Sequence, residues 1–382
     1  MAWYPRVRAA VTAALPGLRP TQAANLALLV SAILARRTLC LTELARAYPT
    51  PAARRVPAPK HDLLHRLKRR SRFLGNERVD ALAVQCAALP HAVTRLGRGS
   101  RLGLAVDWTM FDAALPSGRK RRYQVLRIAV PCHGRAAPLL QLAYDRDRLP
   151  ADRSQNQLEE EALWAVGAAL PPGVRPLVLA DRGFARAAFL AALQRRGLDL
   201  VVRVDKGTCP TEPDGRRWKL GEEGRTRGQG RWASGVRYGL YHGRPRALPR
   251  NVALCRRVAE CRASTKVPKE PWYLATGLGT AGRAIARYWR RGWIEQSFKD
   301  AKGRFGLARV QVGCPRRLAR LVAALTLALA WLTLAALPAV GALPAGWGAH
   351  VAQRGRAGLT SLALALLDER RDLPAACPPG AP

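Results

Sequence analysis

The order of short apolar runs and helix-like segments between residues 100 and 204 restricts the fold more than any other feature of this sequence. Three strand candidates come first, LGLAVDWT, RYQVLRIAV and PLLQLAYD. A helix pattern between Ser154 and Leu170, the run PLVLADRGF, a helix from Ala185 to Arg196 and the strand LDLVVRV follow. Strands followed by alternating helices and strands are typical of a mixed α/β domain. We therefore predict an α/β core.

The flanking sequence divides the chain further. Residues 1–98 show helix-like apolar spacing and predict a helical N-terminal domain. Residues 206–270 are rich in Gly, Arg and Trp, with short alternating pieces that predict a β-rich insertion. The strand WYLATGL then returns to the core, so we expect the core to comprise 99–205 and 271–345. Residues 346–382 predict a C-terminal helix and a tail.

The net charge of +38, from 64 basic and 26 acidic residues, favours a polyanionic partner. Nucleic acid is the interpretation that we prefer, although a GC-rich coding bias toward Arg and Ala could contribute to the charge. The segment HDLLHRLKRRSRFLGN brings Arg66, Lys68, Arg69 and Arg70 close together. These residues predict phosphate contacts by a DNA-binding domain at 1–98, with a solvated charged face as the alternative.

An uncharged run from Leu321 to Ala349 is long enough to cross a membrane. It is rich in Ala, and Pro338 and Pro344 interrupt it, so we predict a buried core helix and no membrane association. The N-terminus is too interrupted for a signal peptide. The eight cysteines form no CxxC motif, which predicts free thiols and a cytoplasmic location.

Two aspartates each end an apolar run, Asp107 in LGLAVDWT and Asp181 in PLVLADRGF. Polar groups at strand ends of an α/β sheet converge on a substrate, although Asp at such a position is also a common turn former. Glu295 would join them from a helix. Three carboxylates on separate elements are what two Mg²⁺ or Mn²⁺ ions need in order to act on a phosphate ester.

The segment YWRRGWIEQSFKDAK contains Tyr288, Arg291, Glu295 and Lys302 at offsets 0, 3, 7 and 14. On one continuous helix these offsets lie within an arc of about 60°. We predict such a helix, beginning after Thr280 and ending at Gly303. A carboxylate flanked by cations and a phenol suits a metal on a nucleic-acid backbone, whereas Arg and Glu four apart also form ordinary solvated pairs.

Together, AVDWT, LADRGF and the Tyr-x2-Arg-x3-Glu-x6-Lys pattern resemble the DDE transposases of bacterial insertion sequences, specifically the IS-four group. The resemblance covers roughly residues 100–335 and implies an RNase H-like catalytic domain interrupted by a β-rich insertion. It implies a metal-binding triad of Asp107, Asp181 and Glu295, and phosphate contacts from Tyr288, Arg291 and Lys302. Trp272 occupies the place where the family can stack a flipped base, and a buried tryptophan is the alternative.

The resemblance further implies the partners. We expect a homodimer assembled on DNA, with the terminal inverted repeats of the element and target DNA as substrates, in association with the nucleoid. Two alternatives stay open at this point: a catalytically inactive descendant that only binds DNA, and a nuclease or resolvase with the same fold.

Overall fold

The structure is a computed structural model that describes residues 4–47, 60–96, 101–115, 117–149, 153–222, 231–238, 248–255 and 271–341, together with residues 360 and 364. The chain divides into two compact units. The first unit comprises Met1–Arg98, Trp108–Pro172 and Trp293–Pro382. The second unit comprises Gly99–Asp107 and Gly173–Gly292.

The described residues before the first strand form five helices, and all five belong to the first unit. They are α1 (Tyr4–Ala14), α2 (Pro20–Arg36), α3 (Leu41–Arg46), α4 (Lys60–Gly75) and α5 (Ala81–Leu96). Helix α2 is apolar along most of its length and buries Leu26, Leu29 and Ile33 almost completely. The described residues of the N-terminal region form helices, while a separate helical domain at 1–98 and its role in binding DNA stay predictions.

Three long strands follow: β1 (Arg101–Ala114), β2 (Lys120–Cys132) and β3 (Arg135–Asp145). The boundary between the units falls within β1, after Asp107. In the first unit β2 and β3 pair antiparallel across a two-residue turn, His133 and Gly134, both with positive φ. Such turns match the twist of the paired strands. Helix α6 (Gln155–Ala169) then begins at Ser154, whose side chain and Gln157 form a capping box.

The first unit also contains helix α9 (Trp293–Lys299), a π-helical turn (Asp300–Arg304) and helix α10 (Pro315–Gly341). Helix α10 packs against β3 and against α2, α4 and α5. Its segment Pro315–Leu337 is long and apolar enough to cross a membrane by length and composition, but 67% of its most apolar window is buried within the protein. The predicted core helix is present from Leu321 to Gly341, and residues 342–349 of the predicted run lie outside the described residues. It continues through Pro338, where the sequence predicted an interruption.

The second unit contains strands β4 (Arg175–Ala180), β5 (Asp199–Arg203), β6 (Pro210–Thr211), β7 (Trp232–Tyr238), β8 (Leu248–Cys255) and β9 (Trp272–Thr276), with helices α7 (Ala187–Arg195) and α8 (Ala281–Arg291). Its strands follow the order β1-β4-β5-β9-β8-β7-β6. Strands β1, β4 and β5 are parallel, and β9 is antiparallel to β5. Helix α8 packs against β4, β5, β8 and β9.

The described part of the predicted β-rich insertion contains strands β6, β7 and β8 and a short 3₁₀ turn (Leu220–Glu222), and the insertion as a separate unit stays a prediction. The remainder of 206–270 and nearly all of the predicted C-terminal segment 346–382 lie outside the described residues. The side chains of five of the eight cysteines are described, and all five are free thiols as expected: Cys40, Cys86, Cys132, Cys209 and Cys314.

Candidate active site

Asp107 and Asp181 lie level with each other at one edge of the second unit's sheet. Strands β1 and β4 are parallel and pair in register up to Ala105 and Leu179. Each aspartate comes two residues after its member of that pair. Because parallel strands in register end at the same edge, the backbone alone brings both carboxylates to one place. This is the convergence that the sequence predicted for these two residues.

Arg291 joins the two aspartates. Its Nη2 atom donates to Asp107 Oδ2 at 2.9 Å and to Asp181 Oδ2 at 3.2 Å. Since both oxygens contact one nitrogen, they are at most about 6 Å apart. The arginine and Asp107 side chains are only 10% and 15% exposed, and Asp181 is 38% exposed. Two carboxylates this close repel each other in a partly dehydrated site, and the guanidinium offsets that repulsion.

The second oxygen of Asp181 is also held. Asp181 Oδ1 accepts a hydrogen bond from the backbone N–H of Gly183 at 2.9 Å and caps the short helical turn Arg182–Phe184. A Cβ atom on Gly183 would lie 3.1 Å from Oδ1, which is shorter than most contacts of Cβ atoms in proteins. Glycine at this position therefore gives the carboxylate the room it occupies. The orientation of Asp181 is fixed by one contact on each oxygen.

Arg291 reaches the aspartates because α8 buries one face. Thr280 caps the helix by accepting from the backbone N–H of Arg283. Ala284, Tyr288 and Arg291 are its buried residues, and their spacing of four and three places them on one side of a helix. Tyr288 packs among Leu177, Leu179 and other core residues of β4, β5 and β9. The last turn of α8 therefore delivers the guanidinium to the ends of β1 and β4.

Trp272, at the start of β9, lies beside this helix. Its ring meets Tyr288 edge-on with centroids 5.0 Å apart, and lies 6.0 Å from the ring of Trp289. The tryptophan is half-buried, whereas Tyr288 is only 6% exposed. The predicted roles of Trp272 in base stacking and of Tyr288 in phosphate contact stay predictions.

The four signature residues do not lie on one uninterrupted helix, contrary to the sequence prediction. Helix α8 ends at Arg291, Gly292 separates it from α9, and Lys302 lies in the π-helical turn Asp300–Arg304. Glycine has a low helix propensity, and a π turn shifts the angular position of every residue after it. The four offsets therefore cannot be converted into one helical face.

Glu295 and Lys302 belong to the first unit. Glu295 is exposed in the first turn of α9. The pKa of Lys302 is lowered from its ordinary value, chiefly by burial and then by the charge of Arg127. Arg127 is fully buried, donates to Gln141 and covers the ring of Phe298 at 4.1 Å. Lys302 is thus a partly dehydrated cation beside another cation, which favours a nearby anion.

Among the described residues, no group of three or more His, Cys, Asp or Glu side chains is placed to hold a metal ion. Two carboxylates held about 6 Å apart or less by one cation nevertheless have the hard oxygen donors that Mg²⁺ and Mn²⁺ prefer. Arg291 already shows that a positive charge fits between them. The donor set therefore fits a divalent cation, and the participation of Glu295 stays a prediction.

The predicted basic cluster of α4 contains residues in different environments. Lys68 and Arg69 are exposed, and Arg69 donates to Asn25. Arg66 is half-buried and pairs with Asp62, four residues earlier. Arg70 is buried and donates to the carbonyl of Ala47. Lys68 and Arg69 are thus the more accessible to an external phosphate.

Two features escaped the sequence interpretation. In the first unit, Glu159 is 1% exposed and accepts a 2.7 Å hydrogen bond from the indole of Trp108, the residue that follows Asp107. The sequence placed Glu159 within an acidic run and gave no reason to single it out. The second feature is the contact of Arg291 with both aspartates, which joins residues 184 and 110 positions apart.

Comparison with known proteins identifies one family. The model of the family described as "Transposase DDE domain" matches residues 98–331, more than half of the chain. No curated protein matches the chain. Seven chains of solved structures are similar. One is the cryo-EM structure of a piggyBac transposase synaptic complex with hairpin DNA, at 12% identity and a TM-score of 0.44. That match covers 96% of this chain and 78% of the other.

Proposed function

This chain belongs to the transposase DDE domain family, and from that membership we propose that it cleaves the ends of an insertion sequence and joins their 3′-hydroxyls to target DNA. The observation that carries the proposal is the pair of carboxylates, Asp107 and Asp181, that two parallel strands and Arg291 hold together. A site for phosphoryl transfer needs concentrated negative charge to hold cations, and this site has it.

Asp107, Asp181 and Glu295 would hold two Mg²⁺ or Mn²⁺ ions. When bound, such ions stabilise the charge on the attacking and leaving oxygens of a phosphate ester. Asp181 contributes a carboxylate whose orientation is already fixed by Gly183. Arg291 holds the two aspartates together, and with cations on the carboxylates its guanidinium would be available to a DNA phosphate.

The proposed reaction has two steps. In the first, a water oxygen forms a bond to the phosphorus at the end of the element, the P–O3′ bond breaks, and the departing oxygen takes a proton to become a 3′-hydroxyl. In the second, that hydroxyl attacks a target phosphate and displaces another 3′-oxygen. No covalent link between protein and DNA forms at either step.

The proposed DNA contacts are of two kinds. Contacts near the cleaved end would come from Lys302, Tyr288 and Trp272, and contacts with the DNA backbone would come from the exposed Lys68 and Arg69.

The fold proposal is an RNase H-like domain. The parallel arrangement of β1, β4 and β5 in the second unit and the antiparallel pairing of β2 with β3 in the first are consistent with it. A strand-rich segment, β6 to β8, precedes the helix that leads to Glu295. Joining two ends to one target requires two active sites, so we propose a homodimer on DNA, located in the cytoplasm with the nucleoid.

The test is cleavage of DNA that carries the inverted repeats flanking the gene. The wild-type protein is incubated with this DNA in Mg²⁺, in Ca²⁺ and in EDTA, and the products are denatured in detergent. We expect strand cleavage and joining in Mg²⁺, neither in EDTA, and no DNA attached to protein. A covalent adduct or full activity in EDTA would contradict the mechanism. Binding without cleavage in Mg²⁺ would identify an inactive DNA-binding descendant, and cleavage without joining would identify a nuclease or resolvase.

A further inference from the structure

Four arginines line one cavity of the second unit. The cavity has a volume of about 360 Å³, and Arg101, Arg175, Arg283 and Arg287 surround it. Its remaining lining consists of Leu278 and Ala286. We call this group the arginine pocket. It contains neither of the aspartates nor Arg291.

The arginine pocket lies at the beginning of strands β1 and β4, whereas the aspartates lie at the other end of their paired region. Arg101 and Arg175 are register partners at the beginning of β1 and β4. Asp107 lies six residues after Arg101 on the same strand, which corresponds to about 20 Å of extended chain. Arg283 and Arg287 are one turn apart in the first two turns of α8, whose last turn carries Arg291. Helix α8 therefore connects the pocket with the aspartate site.

Among the residues that the structure describes, the arginine pocket contains more cations than acidic partners. Arg101 forms an ion pair with Asp199 at 2.7 Å. Within the described ranges of the chain, no acidic side chain pairs with Arg175, Arg283 or Arg287. Burial lowers the pKa of Arg287, and the charges of Arg290 and Arg101 lower it further. Cations crowded in this way repel one another, and a bound anion removes that repulsion.

The lining also indicates the class of anion. Guanidinium groups present several N–H donors in a fixed fork that matches the oxygens of a phosphate. Apart from the four arginines, the described residues that line the pocket are one leucine and one alanine, so none of them is an aromatic or amide side chain that could recognise a base. The pocket is therefore suited to the phosphate group itself, without regard to sequence.

We propose that the arginine pocket binds a backbone phosphate of DNA, remote from the position of bond cleavage. The source of the phosphate, DNA, rests on the proposed function, whereas the anion site does not. Two contacts on one rigid helix, at opposite ends of α8, would fix the direction in which the DNA crosses this unit. The pocket would thus position DNA without contributing to the chemistry.

The first test measures DNA affinity in EDTA, where no cleavage occurs, as a function of salt. The variant is Arg283→Gln with Arg287→Gln. The control, Arg195→Gln with Arg217→Gln, removes the same charge from two exposed positions outside the pocket. Loss of one phosphate contact should lower the slope of log K against log salt by about 0.9 in the pocket variant only. Loss of charge-assisted hydrogen bonds should weaken binding by about tenfold or more. The proposal would be overturned if the slope and the DNA affinity changed equally in both variants, or if neither changed in the pocket variant.

The second test uses inorganic phosphate and thermal unfolding, with sodium chloride at equal ionic strength as the reference. Phosphate should raise the melting temperature of the wild type and of the control variant, but not of the pocket variant. If phosphate stabilises the wild type selectively while the DNA slope of the pocket variant is unchanged, the site binds free phosphate and the assignment to DNA is wrong. Because both tests exclude metal, their outcome is independent of whether the wild type cleaves or joins DNA.

Discussion

At the residue scale, the central feature is the pair of carboxylates that share one guanidinium nitrogen. Asp107 and Asp181 each end a parallel strand, and this position follows from the apolar runs that precede them in the sequence. Their contact with Arg291 does not follow from the sequence, because it depends on how α8 packs across β4 and β5. The strand ends were therefore predictable, while the cation between them was not.

Replacing Arg291 tests the role of that cation. Arg291→Gln leaves two nearby carboxylates without their shared guanidinium, so we expect the metal-free protein to lose about 1–3 kcal/mol of stability, toward the lower value because Asp181 is partly exposed. Mn²⁺ should restore more stability to this variant than it adds to the wild type. The measurement is thermal unfolding with and without Mn²⁺. Arg290→Gln, at the adjacent exposed position, is the control. If both variants lost the same stability and responded equally to Mn²⁺, Arg291 would not compensate the negative charge of the aspartates.

Gly183 provides a second test at this scale. A Cβ atom at Gly183 would lie 3.1 Å from Asp181 Oδ1 and would displace the carboxylate. We expect Gly183→Ala to reduce the cleavage rate by about 10-fold or more, since small displacements of reacting groups are costly, while DNA binding is retained. Gly167→Ala, where no atom lies within 4 Å of the new Cβ, should leave the rate unchanged. An unaffected rate in Gly183→Ala would mean that the position of Asp181 does not limit the reaction.

At the element scale, the interruptions of the signature segment matter more than its spacing. Helical offsets assume a regular helix, and Gly292 and the π turn remove that regularity. The turn that carries Lys302 is held within the first unit by Asp300, whose carboxylate pairs with Arg135 of β3 at 2.7 Å. Both side chains of this pair are less than 10% exposed. The sequence gave no indication of this pair, because its members are 165 residues apart.

Removing the Asp300 carboxylate should destabilise the first unit. Asp300→Ala leaves Arg135 charged and buried, so we expect a loss of about 3–5 kcal/mol. The matched control is Glu77→Ala, which breaks the exposed pair with Arg316, 71% and 76% exposed, and should cost less than about 1 kcal/mol. Urea unfolding of both variants measures the difference. A cost for Asp300→Ala no larger than that of the control would show that the buried pair does not anchor the turn.

At the scale of the whole molecule, charge and core composition were the most predictable properties. A net charge of +38 favours association with DNA, and the family match agrees with that partner. The uncharged run belongs to helix α10 as far as Gly341, and the helices and strand around this helix cover most of its apolar surface. The division of the chain into two compact units was less predictable. Each compact unit is formed from segments that are separated in the sequence by segments of the other unit. No local sequence pattern indicates such a division.

The most direct test of the account is the joining of end DNA to a target plasmid in Mg²⁺ by Asp107→Asn and Asp181→Asn variants. Each substitution keeps the shape of the side chain and removes its charge, so DNA binding, measured by fluorescence anisotropy, should remain. Asp112→Asn, at an exposed aspartate of β1 that pairs with Arg122, is the control. We predict that the wild type and the control join the 3′-hydroxyl ends to the target and that neither active-site variant does. Joining by either variant at the wild-type rate would contradict the assignment of these two aspartates to the chemistry of transposition.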